Sequence, residues 1–273
     1  MGETSQQTIS IVDRYNQRAE QVNSLVCVGL DSQLDRIPSE FRNQPYPQFA
    51  FNRHIIELTH EFTAAYKPNI AFYEERGEAG IHELRLTIEY LKAEHPDILT
   101  ICDAKRSDIG STSEAYATAI FDVIGVDAMT LQPYLGRDAL EPFLQRADKG
   151  CIILCRTSNE GAGEFQDLEI DGKPLWQVVA ETVYKKWNQH ENCMLVVGAT
   201  YPNEMKQVRS LVGDMTMLVP GIGVQGGNLE QTVISGINSR KKGLIINSAR
   251  GIIFAHDPAQ AARELRDAIN QYR

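Results

Sequence analysis

A chain of 273 residues with 36 acidic against 27 basic side chains and a net charge of -9 is long enough to bury a substantial core, as one large α/β domain or two small ones. The acidic balance argues against a nucleic-acid or membrane-surface partner, both of which select basic patches, yet leaves room for a small anionic substrate in a locally positive pocket. No apolar run reaches the length of a membrane helix, and the polar start MGETSQQT lacks the apolar core of a secretory signal and misses the myristoylation pattern at Gln6, so a cytoplasmic location is expected.

The first predicted element is a helix over ISIVDRYNQRAEQV (9 to 22), ahead of the first strand, where it would close the bottom of a barrel. LVCVGLD (25 to 31) opens a series of short apolar, β-branched runs. FNRHIIELTHEF (51 to 62) sets Phe51, Ile55, Leu58 and Phe62 at helical spacing, AAYKPN (64 to 69) reads as a second strand, and GIHELRLTIEYLKAEH (80 to 95) places Ile81, Leu84, Ile88 and Leu91 on one helix face. ILTICDAK (98 to 105) is a third strand, followed by the helical pattern IGSTSEAYATAIFDVI (109 to 124). VDAMTLQP (126 to 133) and CIILCRTS (151 to 158) are the fourth and fifth strands, and PLWQVVAETVYKKW (174 to 187) the next helix. LVVGAT (195 to 200), TMLVPGIG (216 to 223) and LIINSARG (244 to 251) complete the strands, with helical patterns over NEMKQVRSLV (203 to 212), NLEQTVISGI (228 to 237) and PAQAARELRDAI (258 to 269).

Near-continuous apolar runs suit parallel strands covered on both faces. Eight strands alternating with helical patterns predict an α/β fold, a (β/α)8 TIM barrel, as a single domain over residues 1–273 with an extra N-terminal helix. An open doubly wound sheet competes on one local signal: GIGVQG (221 to 226) matches the dinucleotide fingerprint. It follows the seventh strand, however, and the next strand ends in Asn247, Ser248 and Arg250 rather than a ribose-binding acid. In a barrel the seventh and eighth loops commonly build a phosphate site, which favours reading these glycines as anion donors.

The five cysteines, Cys27, Cys102, Cys151, Cys155 and Cys193, lie mostly in apolar runs without a CxxC, and the histidines show no HxH or HExxH spacing. Buried reduced thiols, no metal and no cofactor are expected.

Barrel enzymes carry their chemistry at the C-terminal ends of the strands. These ends are predicted to hold Asp31, Lys67, Asp103 with Lys105, Asp127 with Gln132, Ser158, Thr200, Gln225 and Arg250. Lys67, Lys105 and Arg250 would converge on one opening and suit an anionic ligand. In TICDAKRSDIGST (100 to 112) an apolar strand runs directly into Asp103, Lys105, Arg106 and Asp108, charges that must be solvated, paired or held for a purpose. Extended-chain alternation puts Asp103 and Lys105 on one face.

DAKRSDIGST (103 to 112) resembles the third-strand signature of the orotidine 5'-phosphate decarboxylase family, and the order of Asp31, KPN at Lys67, PGIGVQGG and SARG continues the likeness from residue 25 to about 255. KPNIAFYE and the chain length resemble the longer bacterial branch, with Ser107 where glycine is commoner and a long fifth loop, TSNEGAGEFQDLEIDGK (157 to 173). The resemblance implies cofactor-free conversion of orotidine 5'-phosphate to uridine 5'-phosphate by a homodimer with shared active sites. It implies that Asp103 lies near the substrate carboxylate, that Lys105 delivers the proton, and that Asp108 and Thr112 reach into a partner subunit. It implies further that Asp31 and Lys67 hold the ribose, Ser158 contacts the pyrimidine, and Gln225 and Arg250 hold the phosphate. The glycine-containing loop at 161 to 163 and the loop at 221 to 227 are candidate lids. A hexulose-phosphate synthase sharing the Asp-x-Lys-x-x-Asp motif and a non-catalytic phosphoribosyl-binding barrel remain the alternatives.

Overall fold

The computed structural model describes residues 9–222 and 228–273. Its eight barrel strands are β1 (Val26–Gly29), β2 (Ala65–Lys67), β3 (Leu99–Arg106), β4 (Ala128–Leu131), β5 (Gly150–Arg156), β6 (Cys193–Val197), β7 (Met217–Val219) and β8 (Leu244–Ser248). They close into a barrel in sequence order, β8 pairing back onto β1 through Val26 and Ile246, and all the barrel pairings are parallel. β1, β2, β4, β6 and β7 are buried along their whole length, as continuous apolar runs between an inner core and an outer helical layer must be. The expected TIM barrel is the observed fold.

The outer layer follows the predicted helices within a few residues: Pro47–Thr59, Gly77–Glu94, Pro202–Val212, Leu229–Gly236 and Pro258–Asn270. Two others, Gly110–Ala117 and Leu175–Thr182, continue as π-helical segments, Thr118–Ile124 and Val183–Trp187, with i to i+5 bonds such as Gly125 N–H to Ile120 O at 3.0 Å. Beyond the one-turn helices Ser39–Arg42, Ala71–Glu74 and Arg250–Ile253, a two-turn helix stands where none is expected: Arg137–Leu144 contains Pro142, a residue that signals a break rather than a helix. The fifth loop also holds structure of its own, the short turns Glu160–Ala162 and Gly163–Gln166 and a hairpin pairing Glu169 with Pro174.

The N-terminal helix, Ile11–Gln21, is capped by the Ser10 hydroxyl, which accepts from Asp13 N–H at 3.1 Å, and it lies across the N-terminal ends of the strands. Tyr15 donates to Leu244 O at 2.6 Å at the start of β8, and Arg18 Nε donates to Thr63 O at 3.1 Å ahead of β2. Arg14 pairs with Asp127 at 3.0 Å just before β4. Asp127 also accepts from Thr100 N–H at 2.9 Å and Thr100 Oγ1 at 2.7 Å. This corrects its assignment to the barrel mouth: Asp127 precedes β4 and braces the floor. All five cysteines are free and buried, and burial pushes the Cys27, Cys102, Cys155 and Cys193 thiols up to about 12.

Candidate active site

A cavity of about 530 Å³ opens at the C-terminal ends of the strands, lined among others by Asp31, Lys67, Asp103, Lys105, Ser158 and Arg250. Six of the nine expected site residues therefore converge here, each delivered by the end of a different strand except for the Asp103 and Lys105 pair.

Asp103 is the hub. Its Oδ2 accepts from Lys67 Nζ at 3.0 Å, and its Oδ1 accepts from Lys105 Nζ at 2.5 Å and from the Thr130 hydroxyl at 3.0 Å. Burial alone would push this carboxyl up, but the two ammoniums and their hydrogen bonds prevail and hold it well below the usual carboxylate range. For Lys67, burial works against the ammonium, yet Asp103 and Asp31 outweigh it and hold the group well above its ordinary value. Both members of this pair are thus charged across the neutral range.

Lys105 itself has a φ of 48°, in the left-handed region that costs a non-glycine residue roughly 1–3 kcal/mol. The cause lies in the register. Cys102 pairs with Met129 and Arg106 with Leu131, so residues 103 to 105 face Thr130 alone, and the extra residues bulge out of the strand toward the cavity. The bulge turns Lys105 into the cavity, its side chain 45% exposed, while Asp103 stays 13% exposed.

Asp31 presents the opposite electrostatics. Burial pushes its carboxyl up, against the pull of Lys67, and Asp103 adds to the rise. Its Oδ1 is buried without a hydrogen-bond partner, an acceptor on the cavity wall left for a ligand donor. A buried polar network holds the loop that bears it: Gln48 Nε2 donates to Ser32 O at 2.8 Å, Ser32 bonds Asn52, Asn52 donates to Tyr73 Oη at 2.9 Å, and Tyr73 donates to Leu30 O at 3.0 Å.

Close backbone approach sets the remaining wall. A Cβ on Gly29 would stand 2.5 Å from Ala249 Cβ, and one on Gly198 would stand 2.8 Å from Ser158 Cβ, so glycine at these strand ends lets the segments carrying Arg250 and Ser158 fold inward. Arg250 begins a helix of four residues, Arg250–Ile253, too short for its dipole to govern the guanidinium. The fifth loop is anchored from below by Arg156, which pairs with Asp167 at 3.1 Å and stacks 3.9 Å from the Tyr201 ring centre. Gln166, at its inner edge, accepts from Thr157 N–H at 2.9 Å and donates to Thr157 Oγ1 at 2.8 Å.

Two expected site residues lie away from this cavity. Asp108 accepts from its neighbour Ile109 N–H at 2.8 Å, and Thr112 is exposed on the helix Gly110–Ala117, beside the exposed side chains of Ile109 and Tyr116. Gln225 and most of the loop at 221 to 227, the second candidate lid, lie outside the described residues. Thr200 is absent from the cavity wall. The wall also holds residues the sequence reading passed over, Asn69, Thr130 and Gln166 among them. Asn69 was signalled by its place after Lys67 in KPN, whereas Thr130 is one hydroxyl inside an apolar run and gave no sign.

The model of the orotidine 5'-phosphate decarboxylase / HUMPS family matches residues 24–265. An orotidine 5'-phosphate decarboxylase of Cellvibrio japonicus is 46% identical over 97% of this chain and 100% of its own length, and one of Christiangramia forsetii is 48% identical over 88% and 87%. Among solved structures, that of Leishmania donovani OMP decarboxylase is similar with a TM-score of 0.87 at 38% identity, covering 96% of this chain and 98% of that one.

Proposed function

The chain belongs to the orotidine 5'-phosphate decarboxylase / HUMPS family, and we propose on that premise that it converts orotidine 5'-phosphate to uridine 5'-phosphate and carbon dioxide, the last step of pyrimidine nucleotide synthesis, without a cofactor. The observation that carries the reading is the Lys67–Asp103–Lys105 charge chain in a cavity whose rim also holds Arg250. Near full-length relatives named for this activity favour it over a hexulose-phosphate synthase. A non-catalytic barrel would have no use for an ionised, buried carboxylate flanked by two ammoniums.

In this reading the substrate phosphate pairs with Arg250, with Gln225 beside it, the ribose hydroxyls meet Asp31 and Lys67, and the pyrimidine meets Ser158. The unpartnered Asp31 Oδ1 supports the ribose assignment, since a ribose hydroxyl supplies the missing donor. The substrate carboxylate then stands against Asp103. Heterolysis of the bond between ring carbon and carboxylate releases carbon dioxide and leaves the electron pair on the ring carbon. Lys105 Nζ stabilises that pair by charge and then protonates it, becoming a neutral amine that regains its proton from solvent. A preorganised ammonium needs no reorientation as charge develops, which is why fixed electrostatics can replace the electron sink a cofactor lends. Grip on the remote phosphate converts binding energy into rate. Asp108 and Thr112, outside their own chain's cavity, are assigned to a partner's site in a homodimer. Five free thiols and the nucleotide substrate support a cytoplasmic location.

The test is incubation of purified, chelator-treated protein with orotidine 5'-phosphate while pyrimidine absorbance and carbon dioxide release are followed. Stoichiometric release with uridine 5'-phosphate as product is expected. Folded protein that is inert until a divalent metal is restored would overturn the cofactor-free reading.

A further inference from the structure

The β3 bulge leaves a specific debt. Three residues, Asp103 to Lys105, face one residue of β4, so the regular ladder is interrupted at Lys105. Thr130 supplies the acceptor with its side chain: Lys105 N–H donates to Thr130 Oγ1 at 2.9 Å. The same hydroxyl has one proton to give, and it goes to Asp103 Oδ1 at 3.0 Å, the oxygen that also accepts Lys105 Nζ. Thr130 is 1% exposed and lines the cavity, so water cannot readily replace it in either bond.

We propose that Thr130 is a positioning residue for decarboxylation, its hydroxyl fixing the left-handed Lys105 backbone and the Asp103 carboxylate as one unit. The inference rests on the reading of Lys105 as proton donor. A single oxygen acting as acceptor to one residue and donor to the other couples the two, because the proton direction that satisfies Asp103 is the one that frees a lone pair for Lys105 N–H. Without it, the bulge keeps its length but loses the tie that selects one backbone conformation. Lys105 Nζ then samples positions away from the reacting carbon. An error of about 1 Å in a reacting group can cost about 10²-fold in rate.

Valine has the shape of threonine without the hydroxyl, and serine keeps the hydroxyl without the methyl. Steady-state kinetics on orotidine 5'-phosphate should show kcat for Thr130→Val reduced by about 10- to 10²-fold, with KM and the Kd for uridine 5'-phosphate within about threefold of the parent. Thr130→Ser should recover kcat to within about threefold, even where its melting temperature falls for want of the methyl, which separates positioning from packing. If Thr130→Val does not fold, Thr130→Ala removes the same hydroxyl with less bulk. Unchanged kcat in the hydroxyl-free variant, or a folded Thr130→Ser as slow as it, overturns the inference. If the parent itself shows no decarboxylation, that faults the reading of the reaction. Crystal structures of the parent and both variants then decide the part of Thr130: Lys105 leaving the left-handed region in Thr130→Val and not in Thr130→Ser supports it, and an unmoved Lys105 in both overturns it.

Discussion

Lys67 Nζ lies 3.0 Å from Asp103 Oδ2 with side chains only 4% and 13% exposed, an ion pair taken almost wholly out of water. Breaking such a pair from one side leaves a buried charge with only its second partner, Lys105 for Asp103 or Asp31 for Lys67, and costs up to about 3–5 kcal/mol, whereas replacing both partners by apolar side chains costs less. Lys67→Met and Asp103→Leu should therefore each lower the midpoint of denaturant unfolding strongly, and the double variant should be more stable than the sum of the singles predicts. The pH range follows from the two directions. Asp103, held low, contributes stability above its unfolded pKa of about 3.9, lost as pH falls through the folded value, while Lys67, held high, contributes stability below about 10.4, lost as pH rises through the folded value. The coupling measured at pH 5 and at pH 9 should therefore be the same, and a coupling that vanishes at either would refute the shared charge.

Asp31 should behave in the reverse sense. Its folded pKa lies above the unfolded one, so the stability it contributes is present below about pH 3.9 and lost as pH rises through the folded value. Asp31→Asn should raise the melting temperature at pH 7, and the gain should shrink toward pH 3.5. Turnover should fall in the same variant, since the acceptor for the ribose is altered. Thermal scans across pH, with kcat/KM alongside, check both halves.

Much of this was legible because each signal repeats or is chemically costly. Eight apolar runs separated by helical periodicity fix a barrel, and charges at strand ends cannot be hidden, so Asp31, Lys67, Asp103, Lys105 and Arg250 fell on the cavity as expected. Asp127 misled because an acid at a strand boundary does not say which end it marks: one residue before β4 it serves Arg14 and Thr100 instead. Alternation along an extended chain brought Asp103 and Lys105 together for an incomplete reason, since the contact is made across a bulge with Lys105 left-handed. A bulge depends on register between strands, which no local pattern encodes, and Thr130 was invisible for the same cause. Pro142 concealed a helix that packing tolerates.

Lys105→Ala should lower kcat by at least about the 10²- to 10⁴-fold attributed to a positioned acid, and by more because its electrostatic part goes too. Uridine 5'-phosphate binding, followed by calorimetry, should persist. Near-normal turnover in the folded variant would remove Lys105 from the proton-transfer step.

Arg250→Ala should harm the phosphorylated substrate selectively. A guanidinium forms a bidentate pair with phosphate that orotidine lacking the phosphate cannot use, so kcat/KM should fall steeply for orotidine 5'-phosphate and little for orotidine. Equal proportional losses on the two substrates would assign Arg250 some other task.

Asp108 and Thr112 stand outside their own chain's cavity, and a two-fold partner is the route by which Asp108 would reach a site. Complementation tests this. Let one chain carry Lys105→Ala and the other Asp108→Ala, each nearly inactive as a homodimer because every site lacks one essential group. In a mixed dimer one site lacks both groups, while the other combines Lys105 from its own chain with Asp108 from across the interface and is complete. Random re-association of equal amounts makes roughly half the dimers mixed, with half of their sites intact, so about a quarter of parental activity should return, as two-fold symmetry requires. If Asp108 instead serves its own chain, a mixed dimer pairs one site lacking Lys105 with one lacking Asp108, and neither is whole. Activity would then stay at the level of the separate variants despite demonstrated exchange of subunits, and the shared-site reading would fall.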